Sequence, residues 1–234
     1  ELFGGYTFRY KKFLSLVNQN SSPIERVKAY LQCHERDWVK DQPDLFGPKT
    51  RFSWEKIHDI LIPYFDNSLS LMQQVFLADY NGKLLYNFSP INSKLHDHFR
   101  IKSIVPLLSK DLISYATHLE TNFKYDQIKN IGKLPLRKLL SNYIDNNLLA
   151  QSKLGFSVNT ENLWRSQGYK LCKKYLDNSS IAKEEWVNPL WIKNNLKKDL
   201  EIKYINKFLG LLALEIWYRI FVTKEMNPET KLIV

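Results

Sequence analysis

Apolar residues in this chain recur every three to four positions and almost never alternate in twos, a pattern that confines the fold to packed helices. Phe13, Leu14 and Val17 make one stripe, and Ile24, Val27, Tyr30 and Leu31 the next. Trp54, Ile57, Ile60, Leu61 and Tyr64 follow, then Leu112, Ile113, Tyr115, Ala116 and Leu119. Leu136, Leu139, Leu140 and Ile144 precede Leu171, Cys172 and Tyr175, and the last stripe runs from Ile205 to Val222. This spacing predicts roughly eight to ten short helices joined by polar turns. Ser22 reads as an N-cap, with Pro23 at the first helical position and Glu25 at the third. Ser53 caps the helix that opens at Trp54. The 41–51 stretch, with Pro43, Gly47 and Pro48, reads as the longest irregular segment. No internal repeat or sharp domain boundary is visible, and Gln151 to Asn159 reads as an ordered loop between helices.

Size and composition narrow the class. At 234 residues the chain is one large domain or two small ones. Hydrophobic residues make up 44%, enough for a core, which excludes a disordered or collagen-like chain. Cys33 and Cys172 cannot build a disulfide framework and lack metal-ligand spacing, so a reducing, cytoplasmic setting is expected. The Phe208 to Val222 run is interrupted by Glu215 and Arg219 and is too short and too charged to span a bilayer. No secretory-signal pattern is present.

The net charge of +10 suits a polyanionic partner: nucleic acid, a membrane surface or a phosphorylated ligand. The basic residues are scattered, however. The densest group, Lys193, Lys197, Lys198, Lys203 and Lys207, is expected along one helical stretch with Asp199 and Glu201 interleaved, as a solvated face. No recognition helix, RNA-binding aromatic pattern or zinc finger accompanies the charge.

Three short segments carry residue types suited to phosphate chemistry. In Glu1-Leu2-Phe3-Gly4-Gly5-Tyr6, adjacent glycines permit a tight turn and close approach of backbone to a ligand. Glu1 could bind a hard cation such as Mg²⁺ through oxygen. Lys133 and Arg137 are four residues apart, a spacing that puts both cations on one face if both are helical. Gly132 and Pro135 mark the start of that helix, where unpaired backbone N–H groups favour anions. Lys153, beside Gly155 and Phe156, could neutralise charge as a phosphoanhydride breaks. Each segment also reads as ordinary structure: a glycine turn, a surface helix start, a loop lysine. His96 and His98 flank Asp97, a spacing for metal on a strand or loop, but no third ligand is near and a solvated loop is expected. Leu214, Trp217, Tyr218 and Phe221 read as a helix core stripe. The sequence offers neither cysteine an obvious histidine partner, so thiol catalysis is not expected.

Taken in order, these segments resemble the C-terminal part of the synthetase domain of glutamine-hydrolysing asparagine synthetases. That family has a loop ending in Asp-Glu-Leu-Phe-x-Gly-Tyr, and this chain opens at the Glu with Glu1-Leu2-Phe3-Gly4-Gly5-Tyr6. An Asp-x-x-x-x-Leu element is echoed by Asp79 and Leu84. The family's Lys-x-x-Leu-Arg is present at Lys133, Leu136 and Arg137, and its Lys-x-Gly-Phe at Lys153, Gly155 and Phe156, followed by Trp164. A terminal Leu-Glu-x-Trp-x-x-x-Phe appears at Leu214, Glu215, Trp217 and Phe221. The family's Ser-x-Glu-x-Arg-x-Pro-Phe-Leu-Asp corresponds to the stretch from Arg100 to Leu108. There Lys102 stands for the Glu, and Ile104 for the Arg. That exchange reverses a charge and removes a potential base.

The resemblance implies a mainly α chain, the helical half of an α/β synthetase domain of the adenine-nucleotide alpha-hydrolase-like (ATP-pyrophosphatase) type. It implies that residues 1–234 are a piece of a longer protein, with the pyrophosphate loop, the parallel sheet and an N-terminal glutaminase domain lying upstream. It further implies an ATP- and Mg²⁺-dependent conversion of aspartate to asparagine through an aspartyl-AMP, with ammonia delivered from glutamine. Lys153 would be catalytic, Lys133, Arg137, Gly4 and Gly5 would bind the nucleotide, and Glu1 would lie at the metal. The chain alone would be inactive and marginally stable, and a homodimer is compatible with it. The other readings are a divergent or non-catalytic homologue, for which Lys102 speaks, and a basic helical nucleic-acid-binding module.

Overall fold

The computed structural model describes residues 2–34, 40–150 and 159–233. They are mainly helical. The only sheet among them is an antiparallel pair of two-residue strands, Tyr125–Asp126 and Ile131–Gly132, with Tyr125 opposite Gly132. The helices outnumber the sequence expectation, because further helices and single turns form between the stripes, as at Gln42–Leu45, Ser89–His98 and Thr121–Lys124. None of the described helices is long and apolar enough to cross a membrane. The chain divides into two compact units: residues 1–33 with 57–153, and residues 34–56 with 154–234.

In the first unit, the helices Thr7–Leu16, Pro23–Gln32 and Leu71–Ala78 surround a core of Tyr10, Phe13, Val27, Phe65, Val75 and Phe76, with Cys33 buried at its edge. Tyr10 meets Phe76 and Tyr125 edge-on, at 5.3 and 5.2 Å between ring centroids. The Ser22–Glu25 start forms as its sequence predicts. The Glu25 carboxylate accepts from the Ser22 N–H at 2.7 Å and from its hydroxyl at 2.8 Å. Those bonds to Ser22 hold the Glu25 pKa below the usual carboxylate value. Ser70 and Gln73 repeat the device at the next helix, Gln73 Oε1 accepting from the Ser70 N–H at 3.0 Å. From Leu71 to His98 the chain stays helical, but the winding widens to an i→i+5 pattern from Asp79 to Phe88.

Asp79 sits where that widening starts and is wholly buried. Arg9 donates to both of its oxygens, at 3.1 and 3.0 Å, and the Tyr30 hydroxyl donates at 2.8 Å. Burial, the largest single influence, pushes the Arg9 guanidinium toward its neutral form, but Asp79 together with Tyr30 and Tyr10 outweighs it and the pKa is raised. The Tyr30 hydroxyl is held protonated, by burial first and by Asp79 second. The network is a buried ion pair in which the Asp79 carboxylate accepts three hydrogen bonds while the Arg9 Nε–H has no acceptor among the described residues, so the pair is costly to break.

The second unit is built on the Ile202–Phe221 helix, packed against Tyr169–Leu176, Ser180–Lys183 and Pro189–Asn195. Its core contains Trp164, Cys172, Ile181, Val187, Trp191 and Phe208. Trp164 is 1% exposed, and its indole N–H donates to the Lys198 carbonyl at 2.9 Å. The Cys172 thiol, also enclosed, is pushed up to about 12 by burial.

Glu215 anchors this unit. It is 0% exposed and accepts from the Ser179 hydroxyl at 2.8 Å and from the backbone N–H groups of Ser180 and Ile181 at 2.7 and 3.1 Å. Arg219, one turn on, supplies the countercharge and also donates to the carbonyls of Tyr175 and Asn178.

Three sequence expectations change here. The 41–51 stretch is not irregular throughout: Gln42–Leu45 is a helical turn and Pro48–Thr50 a tight one. Asp41 accepts from the Trp191 indole at 2.8 Å and from the Tyr204 hydroxyl at 2.9 Å, while Phe46 bridges Val187. These contacts lie more than a hundred residues apart in sequence, so no local pattern announces them. The five lysines from Lys193 to Lys207 do not share one helix, because Pro189–Asn195 ends before Lys197 and the next helix starts at Ile202. Leu214, Trp217 and Phe221 are not core: they are 42, 50 and 57% exposed, since the long helix buries Phe208, Leu211, Leu212 and Glu215 instead. Ser53, as expected, caps the next helix, accepting from the N–H groups of Glu55 and Lys56 at 3.1 and 3.4 Å.

Candidate functional site

The first unit brings three of the expected site residues together at one turn. Gly4 has φ +72°, a conformation glycine adopts without steric cost. Its carbonyl lies so close to Gly132 that a Cβ added there would stand 1.8 Å from Gly4 O. The Lys133 N–H donates to the Phe3 carbonyl at 2.9 Å, fastening the two segments. The Lys133 side chain then crosses Gly5, where an added Cβ would meet Lys133 Cε at 2.9 Å. Gly132→Ala should therefore separate the segments and cost about 1–3 kcal/mol or more, as forced overpacking does. A urea midpoint unchanged from wild type would contradict this packing.

Lys133 itself departs from the sequence reading. It is not helical; it stands before the Leu134–Leu140 helix in the left-handed region, at φ 58° and ψ 36°. It therefore shares no helix face with Arg137. Arg137 turns back to the backbone, donating from Nε to the Gly132 carbonyl at 3.1 Å and from Nη1 to the Leu149 carbonyl at 2.7 Å. In this arrangement Arg137 holds the glycine turn in place, and Lys133 presents the charge. Lys133 makes no ion pair among the described residues.

Sequence reasoning missed the aromatic side of the turn. The Tyr6 ring has Lys83 Nζ 3.7 Å from its centroid and Arg9 Cζ 4.1 Å from it. Cations over an aromatic face are attracted by its quadrupole. The available signal was spacing: Lys83 follows Asp79 by four residues in a helical segment, and Tyr6 follows the glycines directly. The turn carries no side chains of its own at Gly4 and Gly5, Phe76 and Tyr125 pack over Gly4 and Lys133 over Gly5, and the ammonium groups of Lys83 and Lys133 supply countercharge beside it. Those residues fit a phosphate group.

Glu1 and Lys153 lie outside the described residues, as does most of the 151–159 loop. Lys102 is exposed, between the Ser89–His98 helix and the short turn at Pro106–Leu108. His96 and His98 are on a helix, not on a strand or a solvated loop. Two positions along a helix turns a side chain by about 200°, so the two rings cannot converge on one ion. Among the described residues no group of three or more His, Cys, Asp or Glu side chains could hold a metal ion. Asp79, Trp164 and Glu215, all within the motifs quoted above, are buried and occupied in packing and hydrogen bonds.

Comparison with known proteins gives one result: the family model described as asparagine synthase matches residues 1–219. No curated protein and no solved structure matches the chain.

Proposed function

Because the chain belongs to the asparagine synthase family, whose members are ATP-dependent amide-forming ligases, we propose that it contributes the phosphate-binding side of an ATP- and Mg²⁺-dependent asparagine synthetase. The proposed reaction joins the aspartate side-chain carboxylate to the α-phosphorus of ATP, releasing pyrophosphate. Ammonia then displaces AMP to give asparagine. A glutaminase domain of the full-length protein would supply the ammonia from glutamine.

The observation that carries this reading is the ammonium of Lys133, without an ion-pair partner among the described residues, laid across the Gly4–Gly5 turn. In the proposed site Lys133 holds a phosphate group of the nucleotide, and the lack of a side chain at Gly5 leaves room for Lys133 to cross the turn. Arg137 fixes Gly132 and so the height of the turn. Lys153 would neutralise the pyrophosphate as it leaves, and Glu1 would offer a carboxylate oxygen to Mg²⁺.

If Lys153 acts mainly on the transition state, its loss should appear in turnover more than in ATP affinity. In the full-length protein Lys153→Ala should lower pyrophosphate release by about 10²–10³-fold at saturating ATP and aspartate, the scale of one preorganised electrostatic donor. Arg at that position should rescue only in part, since a planar guanidinium fills a point-charge site differently. Rates within about twofold of wild type would remove Lys153 from the catalytic set.

A second reading keeps the fold without the chemistry. It is favoured by exposed Lys102, which stands where the resembling family has a carboxylate. Full-length protein that releases no pyrophosphate with aspartate and ATP, while remaining folded, would decide for it.

A further inference from the structure

In the first unit a cavity of about 100 Å³ lies against the buried side chain of Lys124. Lys124 is 3% exposed, at the end of the Thr121–Lys124 turn. Its ammonium donates to the Ala116 carbonyl at 2.9 Å and stands 4.8 Å from the Phe76 ring centroid. No carboxylate pairs with it among the described residues, and none is among the lining residues of the cavity. An ammonium has three N–H donors, so the single carbonyl leaves it under-satisfied where water is scarce. Burial draws its pKa down to about 8, and at neutral pH it remains mostly charged.

The rest of the lining is complementary to an anion with an apolar tail. Gln73 commits its carbonyl oxygen to Ser70, accepting from both the N–H and the hydroxyl, so the group it can turn to the cavity is its NH₂. The hydroxyl-bearing Tyr80 lines the same space, and the apolar wall is Leu69, Phe76 and Leu77. One cation matches one negative charge; a phosphate would bring a second charge and further oxygens against that wall. At about 100 Å³ the space is smaller than the roughly 150 Å³ that takes a benzene ring, so it suits an acid of about three or four carbons.

We infer that this cavity binds a short aliphatic monocarboxylate, its carboxylate on the Lys124 ammonium and Gln73 amide, its alkyl chain against Leu69, Phe76 and Leu77. The site borders the Gly4 turn through Phe76 but uses Lys124 rather than Lys133, and it does not depend on the nucleotide reading.

Isothermal titration of the full-length protein with butyrate tests it, with butylamine and inorganic phosphate as counter-probes. Butyrate should saturate one site per chain, and neither counter-probe should compete. Lys124→Met should weaken butyrate by about 10–100-fold, the range of a lost charge-assisted hydrogen bond. Leu69→Trp fills the apolar side from a position that is 41% exposed and leaves the ammonium in place, so it should abolish binding without unfolding the protein. It decides the matter if Lys124→Met fails to fold. No saturable binding by wild type, undiminished binding by either folded variant, or competition by phosphate at equal concentration would each overturn the inference.

Discussion

Replacing Asp79 by alanine should destabilise the first unit by about 3–5 kcal/mol, the scale for removing one member of a buried ion pair. The carboxylate is fully buried, and its removal strands the Arg9 guanidinium, which is 4% exposed, and the Tyr30 hydroxyl. The loss comes less from the missing attraction than from the charge left behind without water. Asp79→Asn keeps the shape and can still accept a hydrogen bond, so it should fall between the two. The double variant Arg9→Met/Asp79→Leu removes both charges and should recover most of the loss, since apolar replacements of buried pairs are often neutral or better. Urea midpoints for the four proteins measure this. A cost below about 1 kcal/mol for Asp79→Ala would mean that water reaches Arg9, contrary to the packing described.

Glu215→Ala should act on the second unit at a similar scale, about 3–5 kcal/mol. Four donors lose their acceptor at once: the Ser179 hydroxyl, the backbone N–H groups of Ser180 and Ile181, and the Arg219 side chain. The two amides belong to the Ser180–Lys183 turn, whose first N–H groups have no partner within so short a helix. Glu215→Gln should retain one amide contact and lose the ionic one, so it should cost less than Glu215→Ala, while Arg219 keeps its bonds to the Tyr175 and Asn178 carbonyls. Such costs are large against a total of about 5–15 kcal/mol for a typical domain. Thermal melts read the effect; if Glu215→Ala melts with wild type, the buried carboxylate is not what holds the 179–181 segment.

What the sequence disclosed and what it withheld follow from distance along the chain. Ser22, Pro23 and Glu25 lie within one helical turn, so their residue types state the geometry, and the capping bonds form as read. The helical class was legible for the same reason. Arg9 and Asp79 are 70 positions apart, and Asp41 and Tyr204 are 163 apart. No local pattern can couple them. Leu214, Trp217 and Phe221 show the limit of periodicity: a stripe tells which residues share a face, not whether that face is covered. At the candidate site, Gly4, Gly5 and Lys133 were readable as residue types. The left-handed backbone of Lys133 was not, because that conformation is imposed by the bond to Phe3 across the fold. Arg137 reads from its spacing as a charge on the same helix face, and only its two backbone carbonyl partners give it a positioning role.

The two cysteines have a practical corollary. Cys33 belongs to the core of one unit and Cys172 to that of the other, each at most 3% exposed. Thiol reagents attack the thiolate, and burial both hides the sulfurs and, for Cys172, suppresses ionisation. Alkylation therefore waits on opening, and each sulfur acts as a clock for the unit that encloses it. With reagent in excess and the two labelled peptides separated by mass, one sample reports two opening rates. Asp79→Ala should quicken the Cys33 clock and Glu215→Ala the Cys172 clock, and the degree to which each variant also moves the other sulfur measures how cooperatively the halves of the chain unfold.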